Sequence, residues 1–206
     1  MAVFDLDGTL TTVDSLWKYL HDAFGTWDKG RVAEQRYRRG EISYRDWAET
    51  DARCWTGMPL DTLSKVLDQI PYSKGAREVL EHLRNKHVKT AIVSAGLSVL
   101  AEKVARELGA DLAISNDLEI VEGVLTGGIK VKVSLTEKDK VIKDIALQLA
   151  IPMEEIALIG DQANDLPFDV SLKIVYKPKD AASRSRADVI IDDDDLSRII
   201  PYLDSE

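Results

Sequence analysis

The sequence predicts an α/β protein, a doubly wound and mostly parallel sheet carrying a helical insertion. Three observations support this. From Ser73 onward, short apolar runs alternate with amphipathic helical stretches, the pattern of βα units whose crossovers build parallel sheets. From about Asp14 to Tyr72 there is no convincing strand, only helical patterns separated by Gly and Pro. Ala2-Val3-Phe4 then reads as a short apolar strand running directly into Asp5-Leu6-Asp7-Gly8-Thr9. Acids thus stand at the carboxyl end of a buried strand, where open α/β sheets bind ligands.

The segment 14–72 holds all four tryptophans, Trp17, Trp27, Trp47 and Trp55, and the basic residues Arg31, Arg36, Arg38 and Arg39. Within it a helix is expected from about Ile42 to Trp55, with Tyr44, Trp47, Asp51, Cys54 and Trp55 on one face by i, i+3, i+4 spacing. A helix from Gly75 to about Lys86 precedes a strand Val88–Val93, and a helix Ser98–Leu108 precedes a strand near Leu112–Ile114. Residues 117–133 alternate apolar and polar around Glu122-Gly123 and Gly127-Gly128, the signature of a small β-hairpin. A helix Glu137–Leu149, a strand Ile156–Ile159, a short helix after Asn164 and strands Leu172–Val175 and Val189–Ile191 follow. The run Asp192–Asp195 precedes the last helix, where acids favour the positive end of the dipole. A core of residues 1–12 plus 73–206 is therefore expected, with residues 13–72 inserted as a helical cap directly after the acidic loop. An insertion at that point would overhang the site, as water-excluding lids do.

A length of 206 residues suffices for such a core, and a hydrophobic content of 45% is that of a soluble globular protein. The net charge of −9 argues against nonspecific nucleic-acid binding, which needs a basic surface. The single cysteine, Cys54, excludes an intramolecular disulfide and fits a reducing compartment. The most apolar run, Ala91 to Ala101, is interrupted by Ser94, Gly96 and Ser98 and is too short to span a bilayer. With a strand at the very start and no basic leader or signal stretch, a soluble cytoplasmic protein is expected, with no membrane and no nucleic acid among its partners.

In an extended segment, positions i and i+2 point to the same side, so Asp5 and Asp7 can share one small site. Gly8 then allows a tight turn with exposed N–H groups. Left unpaired, two such acids repel and are costly to desolvate, so a cation or a reacting group is expected between them. Three later segments match in character. Ser94-Ala95-Gly96 follows a strand with a hydroxyl and free N–H groups suited to phosphate oxygens. Lys138 and Lys140 open a helix, where a cation is disfavoured unless an anion is near. Gly160-Asp161-Gln162-Ala163-Asn164-Asp165 places Asp161 just past a strand and Asp165 at the next helix start. Asp5, Asp7 and Asp161 make an all-oxygen centre, and such a set with room for water and phosphate is the Mg²⁺ pattern. Zinc is disfavoured, because His21, His82 and His87 lie outside these motifs.

With these motifs in order, the chain resembles the haloacid dehalogenase superfamily, in its phosphoserine phosphatase-like branch. Asp5-Leu6-Asp7-Gly8-Thr9 matches the first motif, Ser94 the second, Lys138 the third, and Gly160-Asp161 with Asn164-Asp165 the fourth. The resemblance implies a doubly wound, Rossmann-like parallel-sheet core, an inserted helical cap and a small hairpin. It further implies a Mg²⁺-dependent phosphomonoester hydrolase acting through an aspartyl-phosphate on a small phosphorylated metabolite. Asp5 would be the nucleophile and Asp7 the general acid and base. The carboxylates of Asp5 and Asp161 with the backbone carbonyl of Asp7 would hold Mg²⁺. Ser94, the Ala95 N–H and Lys138 would bind phosphate oxygens, Gly96 and Asn164 would line the substrate, and Asp165 would orient Lys138 or a metal-bound water.

The chain departs from the branch on the cap side. Asp14 stands where a substrate-contacting Glu is expected, and Asp51 where an Arg grips the substrate carboxylate. If Asp51 faces the substrate, a second carboxylate would be repelled, and an amine-bearing or hydroxyl-rich phosphomonoester is expected. If it lies at the edge of its stripe, it pairs with Arg45 or Arg53. Alternatives of function are a phosphotransferase or mutase with a hydroxyl acceptor, and a catalytically dead module that binds a phosphorylated ligand.

Overall fold

Ala2–Phe4 (β1) forms the middle of the sheet, and all three residues are buried, as an apolar run flanked on both sides by parallel neighbours requires. The computed structural model describes residues 1–168 and 170–204. After β1 come four helices, Leu16–Ala23 (α1), Trp27–Arg38 (α2), Tyr44–Arg53 (α3) and Leu60–Leu67 (α4). Ala76–Asn85 (α5), Thr90–Leu97 (β2), Ser98–Leu108 (α6), Leu112–Val121 (β3) and Val124–Lys130 (β4) follow. Lys138–Gln148 (α7), Ala157–Gly160 (β5), Leu172–Tyr176 (β6), Ala181–Arg186 (α8), Val189–Ile191 (β7) and Ile200–Leu203 (α9) complete the order.

Among the described residues, seven strands run in the order β4-β3-β2-β1-β5-β6-β7. All pairs are parallel except the β3–β4 hairpin. From β1 the chain builds outward through β2 and β3, then returns across the sheet to β5. The strand order therefore reverses beside β1, and a crevice opens at its carboxyl end.

One apolar cluster joins Phe4, Leu6 and Leu10 to Leu16, Trp17, Trp55 and Leu63 from the inserted helices and to Leu100 and Val104 of α6. A second packs Ile142 and Ile145 of α7 against Val3, Val93 and Leu158. Each fully buried Leu or Ile contributes about 2 kcal/mol of transfer free energy, so the helical segment between β1 and α5 is bound to the sheet by shared core. Its start and its third helix are locally encoded. Ser15 caps α1 by accepting from the Lys18 N–H, and Ser43 and Asp46 form a reciprocal capping box at α3. The loop between α3 and α4 is laced to the hairpin: Leu125 donates to Met58 O (2.9 Å), Gly57 to Leu125 O (2.8 Å) and Leu60 to Gly123 O (2.8 Å).

Several elements differ from expectation. β2 continues through Ser94-Ala95-Gly96 to Leu97 instead of ending at Val93, with its register on β3 broken between Val93 and Leu97. The helix after Asn164 is a single 3-10 turn, Ala163–Asp165. α8 was not foreseen, because Ala-Ala-Ser-Arg-Ser-Arg has no apolar period; Asp180 starts it by accepting from the Ser183 N–H. The run Asp192–Asp195 does precede the final helical segment, and Asp195 accepts from the Ser197 N–H at 3.0 Å. Asp192 and Asp194 pair with Arg184 and Lys177. Among the described residues, no helix is long and apolar enough to cross a membrane.

Candidate active site

The acidic loop is a direct continuation of β1. Phe4 pairs with Ile92 and Ile159, and the Asp5 N–H still donates to Ile159 O at 2.8 Å, which aims the Asp5 side chain out of the strand end. Gly8 turns the chain at φ +77°, and a Cβ there would lie 2.3 Å from Asp161 Oδ2. The turn therefore brings backbone against the second acidic segment, and only glycine fits. α1 begins beside Asp7, whose Oδ2 accepts from the Leu16 N–H at 2.7 Å. A carboxylate at a helix N-terminus satisfies a donor that the helix cannot.

Lys138, the first residue of α7, is 4% exposed. Its Nζ lies 2.5 Å from Asp5 Oδ1 and 2.5 Å from Asp165 Oδ1. Lys140, by contrast, is a surface residue paired with Glu137. Asp165 Oδ2 accepts from the N–H of Gln162 (2.9 Å) and of Asp161 (3.2 Å), so both its oxygens are engaged. Asp161 is fully buried, and among the described residues neither of its carboxylate oxygens has a hydrogen-bond partner.

Ser94 sits at the irregular end of β2, and its Oγ accepts from the Gly96 N–H at 3.0 Å. The peptide that delivers this N–H is held from its other side. Ala95 O accepts from the Trp17 indole (3.1 Å), the Asn116 amide (2.9 Å) and the Tyr44 hydroxyl. Asn116 in turn accepts from the N–H of Lys132 (2.8 Å) and Val133 (2.9 Å). Buried polar groups that are this fully satisfied fix a loop in one conformation. Tyr44 and Asn116 were not foreseen as part of the site. The available signal for Asn116 was a lone amide in a run of strand residues, and it is too weak to assign a role.

Burial raises the Asp7 carboxyl to about 6, against the lowering effect of the Leu16 N–H and Lys138. Burial likewise raises Asp5, with the Asp165 charge adding to it and Lys138 opposing it. Asp161 is raised by burial and by the neighbouring Asp5 and Asp165 charges. Burial alone would lower the Lys138 ammonium, but the Asp165 and Asp5 carboxylates outweigh it and hold the group above its ordinary value. The cluster thus has more buried negative charge than Lys138 neutralises.

Asp5, Asp161 and Asp165 each offer an oxygen within 4.8 Å of the others. Two orphaned Asp161 oxygens beside Asp5, an all-carboxylate donor set and surplus buried negative charge fit a hard divalent cation.

Above this floor lies a cavity of about 310 Å³, reaching Asp5, Asp7, Ser94 and Lys138 below. The inserted helices roof it with Trp17, His21, Trp27, Trp47 and Asp51. Ala95, Gly96 and Asn164 also border it, whereas Asp14 is exposed at the rim and paired with Lys179. Asp51 is 1% exposed and does not pair with Arg45 or Arg53. Arg53 binds Glu49 at 3.1 Å, and Asp51 Oδ1 instead lies 3.2 Å from His21 Nε2. His21, which lies outside the sequence motifs, therefore belongs to the cavity. Its signal was the apolar face of α1, which it shares with Trp17 by i, i+4 spacing.

A reversing α/β sheet with paired acids at the central strand end, a buried lysine and an orphaned third acid defines a class of α/β protein with an acid-centred site at the sheet switch point. A family model for haloacid dehalogenase-like hydrolases matches residues 2–168, and the chain belongs to this family. It is 34% identical to phosphoserine phosphatase of Archaeoglobus fulgidus over 166 residues, 80% of this chain and 48% of that protein. To phosphoserine phosphatase SerB2 of Mycobacterium tuberculosis it is 31% identical over 208 residues, 100% of this chain and 49% of that protein. The chain thus spans about half the length of these two relatives. Phosphoserine phosphatase of Methanocaldococcus jannaschii is 26% identical over 206 residues, covering 98% of this chain and 97% of that one. A solved structure described as a phospho-aspartyl intermediate analogue of phosphoserine phosphatase matches with a TM-score of 0.81 at 25% identity, covering 98% and 97% of the two chains. A haloacid dehalogenase family hydrolase from Salmonella enterica serovar Typhi matches with a TM-score of 0.89 at 25% identity, covering 100% of this chain and 71% of that one.

Proposed function

We propose that this chain hydrolyses small phosphomonoesters through an aspartyl-phosphate on Asp5, with Mg²⁺ as cofactor. The observation that carries the reading is the buried group of Asp5, Lys138 and Asp165 beside an Asp161 carboxylate with no partner of its own. Such an arrangement is costly in an apoprotein and is relieved by a cation and a phosphate. The named relatives are phosphoserine phosphatases, and a phospho-aspartyl analogue is known for one protein of the same fold.

An oxygen of Asp5 attacks phosphorus as the bond to the leaving alkoxide breaks. Asp7, with a carboxyl raised to about 6, gives its proton to that alkoxide and then takes one from the water that attacks the acyl-phosphate. This returns Asp5 and Asp7 to their starting states and releases the alcohol and inorganic phosphate. Lys138, the Ser94 hydroxyl and the Ala95 N–H bind the non-bridging oxygens as their charge is redistributed. Gly96 supports Ser94, and Asp165 orients Lys138. Asp5 and Asp161, with the Asp7 carbonyl, would hold Mg²⁺, which supplies positive charge against the phosphate. Residues 13–72 act as a cap over a core of 1–12 and 73–206, keeping bulk water from the acyl-phosphate.

A phosphomonoester panel assayed with Mg²⁺, with EDTA and with Asp5→Asn tests this. Turnover should require the metal and fall by about 10⁴-fold or more in the variant. Undiminished activity in EDTA, or activity surviving Asp5→Asn, would sink the mechanism. A phosphorylated alcohol recovered when acceptor alcohols are added would point instead to phosphotransfer.

A further inference from the structure

The roof of the cavity carries chemistry that the hydrolytic step does not use. Asp51 and His21 are both almost fully buried there, 3.2 Å apart. Yet Asp51 Oδ1 and His21 Nε2 have no properly directed hydrogen bond, and neither does the Trp47 indole N–H, which borders the same cavity. The His21 ring is fixed from behind. Its Nδ1 lies 2.7 Å from Thr26 Oγ1, which also accepts from the Trp55 indole at 3.3 Å. Where the Thr26 hydroxyl, which accepts from Trp55, donates to His21 Nδ1, the ring proton is left on Nε2, towards Asp51. α2 makes room for the ring with Gly30, where a Cβ would lie 2.5 Å from His21 Nε2. This is a positioned, buried carboxylate with the His21 and Trp47 N–H groups as its near donors.

Its surroundings are aromatic. Trp17, Trp27, Tyr44 and Trp47 border the cavity. Trp27 already has a cation against it, with Lys18 Nζ 5.0 Å from its ring centroid. The cations on the roof are engaged elsewhere: Lys18 pairs with Asp22, and the Arg38 guanidinium lies 2.6 Å from Glu34. Burial raises the Asp51 carboxyl, a cost that His21 and the Trp47 indole only partly offset and that an incoming positive charge would relieve.

Resting on the phosphatase reading, we infer that the preferred substrates are phosphomonoesters whose alcohol carries an ammonium group and no carboxylate, with Asp51 and the indole rings receiving the cation. A carboxylate placed beside Asp51 would be repelled, and an ammonium over indole faces beside a buried acid is attracted by both. A cavity of about 310 Å³ suits an alcohol of a few heavy atoms.

The wild-type protein decides this without a variant. Choline phosphate and its neutral isostere, 3,3-dimethylbutyl phosphate, differ only in charge, and kcat/KM should favour choline phosphate by about tenfold. Ethanolamine phosphate in the same panel distinguishes primary from quaternary ammonium. Phosphoserine and glycerol phosphate should both be poorer than the better amine. In Asp51→Asn the preference for choline phosphate over its isostere should collapse towards unity, mainly through KM. Asp51→Arg should turn selectivity towards phosphoserine. Equal turnover of choline phosphate and isostere, or a wild-type preference for phosphoserine, would overturn the inference while leaving the hydrolase reading intact. If no phosphomonoester, p-nitrophenyl phosphate included, is turned over, the hydrolase reading falls. Tryptophan fluorescence titrations with choline phosphate and its isostere then decide the cation site by their relative affinities.

Discussion

Lys138 is held between two buried carboxylates, so its removal would act on folding and chemistry together. In Lys138→Met, Asp5 and Asp165 would face each other with no cation between them. Breaking a buried pair in this way costs about 3 kcal/mol, read as a lower denaturation midpoint in chelated protein. On the proposed mechanism this also removes a phosphate-binding charge, which should lower kcat by about 10²- to 10³-fold. A variant that keeps full stability would show that Lys138 is not pairing with these acids in solution. At this scale much of the site was legible. Asp5 and Asp7 follow from i, i+2 geometry, and Lys138 from its awkward place in a first helical turn. Asp161 follows from its position just past a strand. His21, Tyr44 and Asn116 were not legible as site residues, because each contacts residues far away in sequence. Only the fold reveals that Asn116, between β2 and the segment after β4, holds the Ala95 carbonyl.

The contact between the hairpin and the α3–α4 loop is the element on which the position of helices α1–α4 depends. Gly127 adopts φ +86°, and a Cβ there would lie 2.2 Å from Thr56 Oγ1. Gly127→Ala should therefore carry a backbone penalty and a steric one, together about 2 kcal/mol. Thr56→Ala removes the colliding hydroxyl, so the double variant should recover the steric part and leave about 1 kcal/mol. A chemical-denaturation cycle on the four proteins measures this, and simple additivity would mean that the two residues do not meet. The hairpin itself was foreseeable from alternation around its glycines. Its pairing with the α3–α4 loop was not, because backbone hydrogen bonds between distant segments leave no periodicity. For the same reason the irregular extension of β2 through Ser94 was missed: the break in register belongs to its partner β3 as much as to β2 itself.

For the whole molecule, the buried acids couple folding to pH and, on the proposed mechanism, to metal. Asp7 is raised to about 6, and Asp5 and Asp161 are raised as well, in each case chiefly by burial. In the unfolded chain these groups release their protons near pH 4. Between there and the folded-state values the native protein holds more protons than the unfolded one, so stability falls as pH rises. The stabilisation is fully present below the unfolded value and is lost as pH passes the folded values. Chelated protein should accordingly melt several degrees higher at pH 5 than at pH 8, and Asp7→Asn should flatten that slope. Magnesium should reverse the order of effects. Bound at the buried acids as proposed, it would compete with protons for the same oxygens, so it should raise the melting temperature strongly at pH 8 and little at pH 5. At a hundredfold excess over its Kd the gain is about 2.7 kcal/mol. Differential scanning calorimetry across this range, with EDTA and with Mg²⁺, makes the comparison. A metal effect equal at both pH values would mean that the cation binds away from the buried acids.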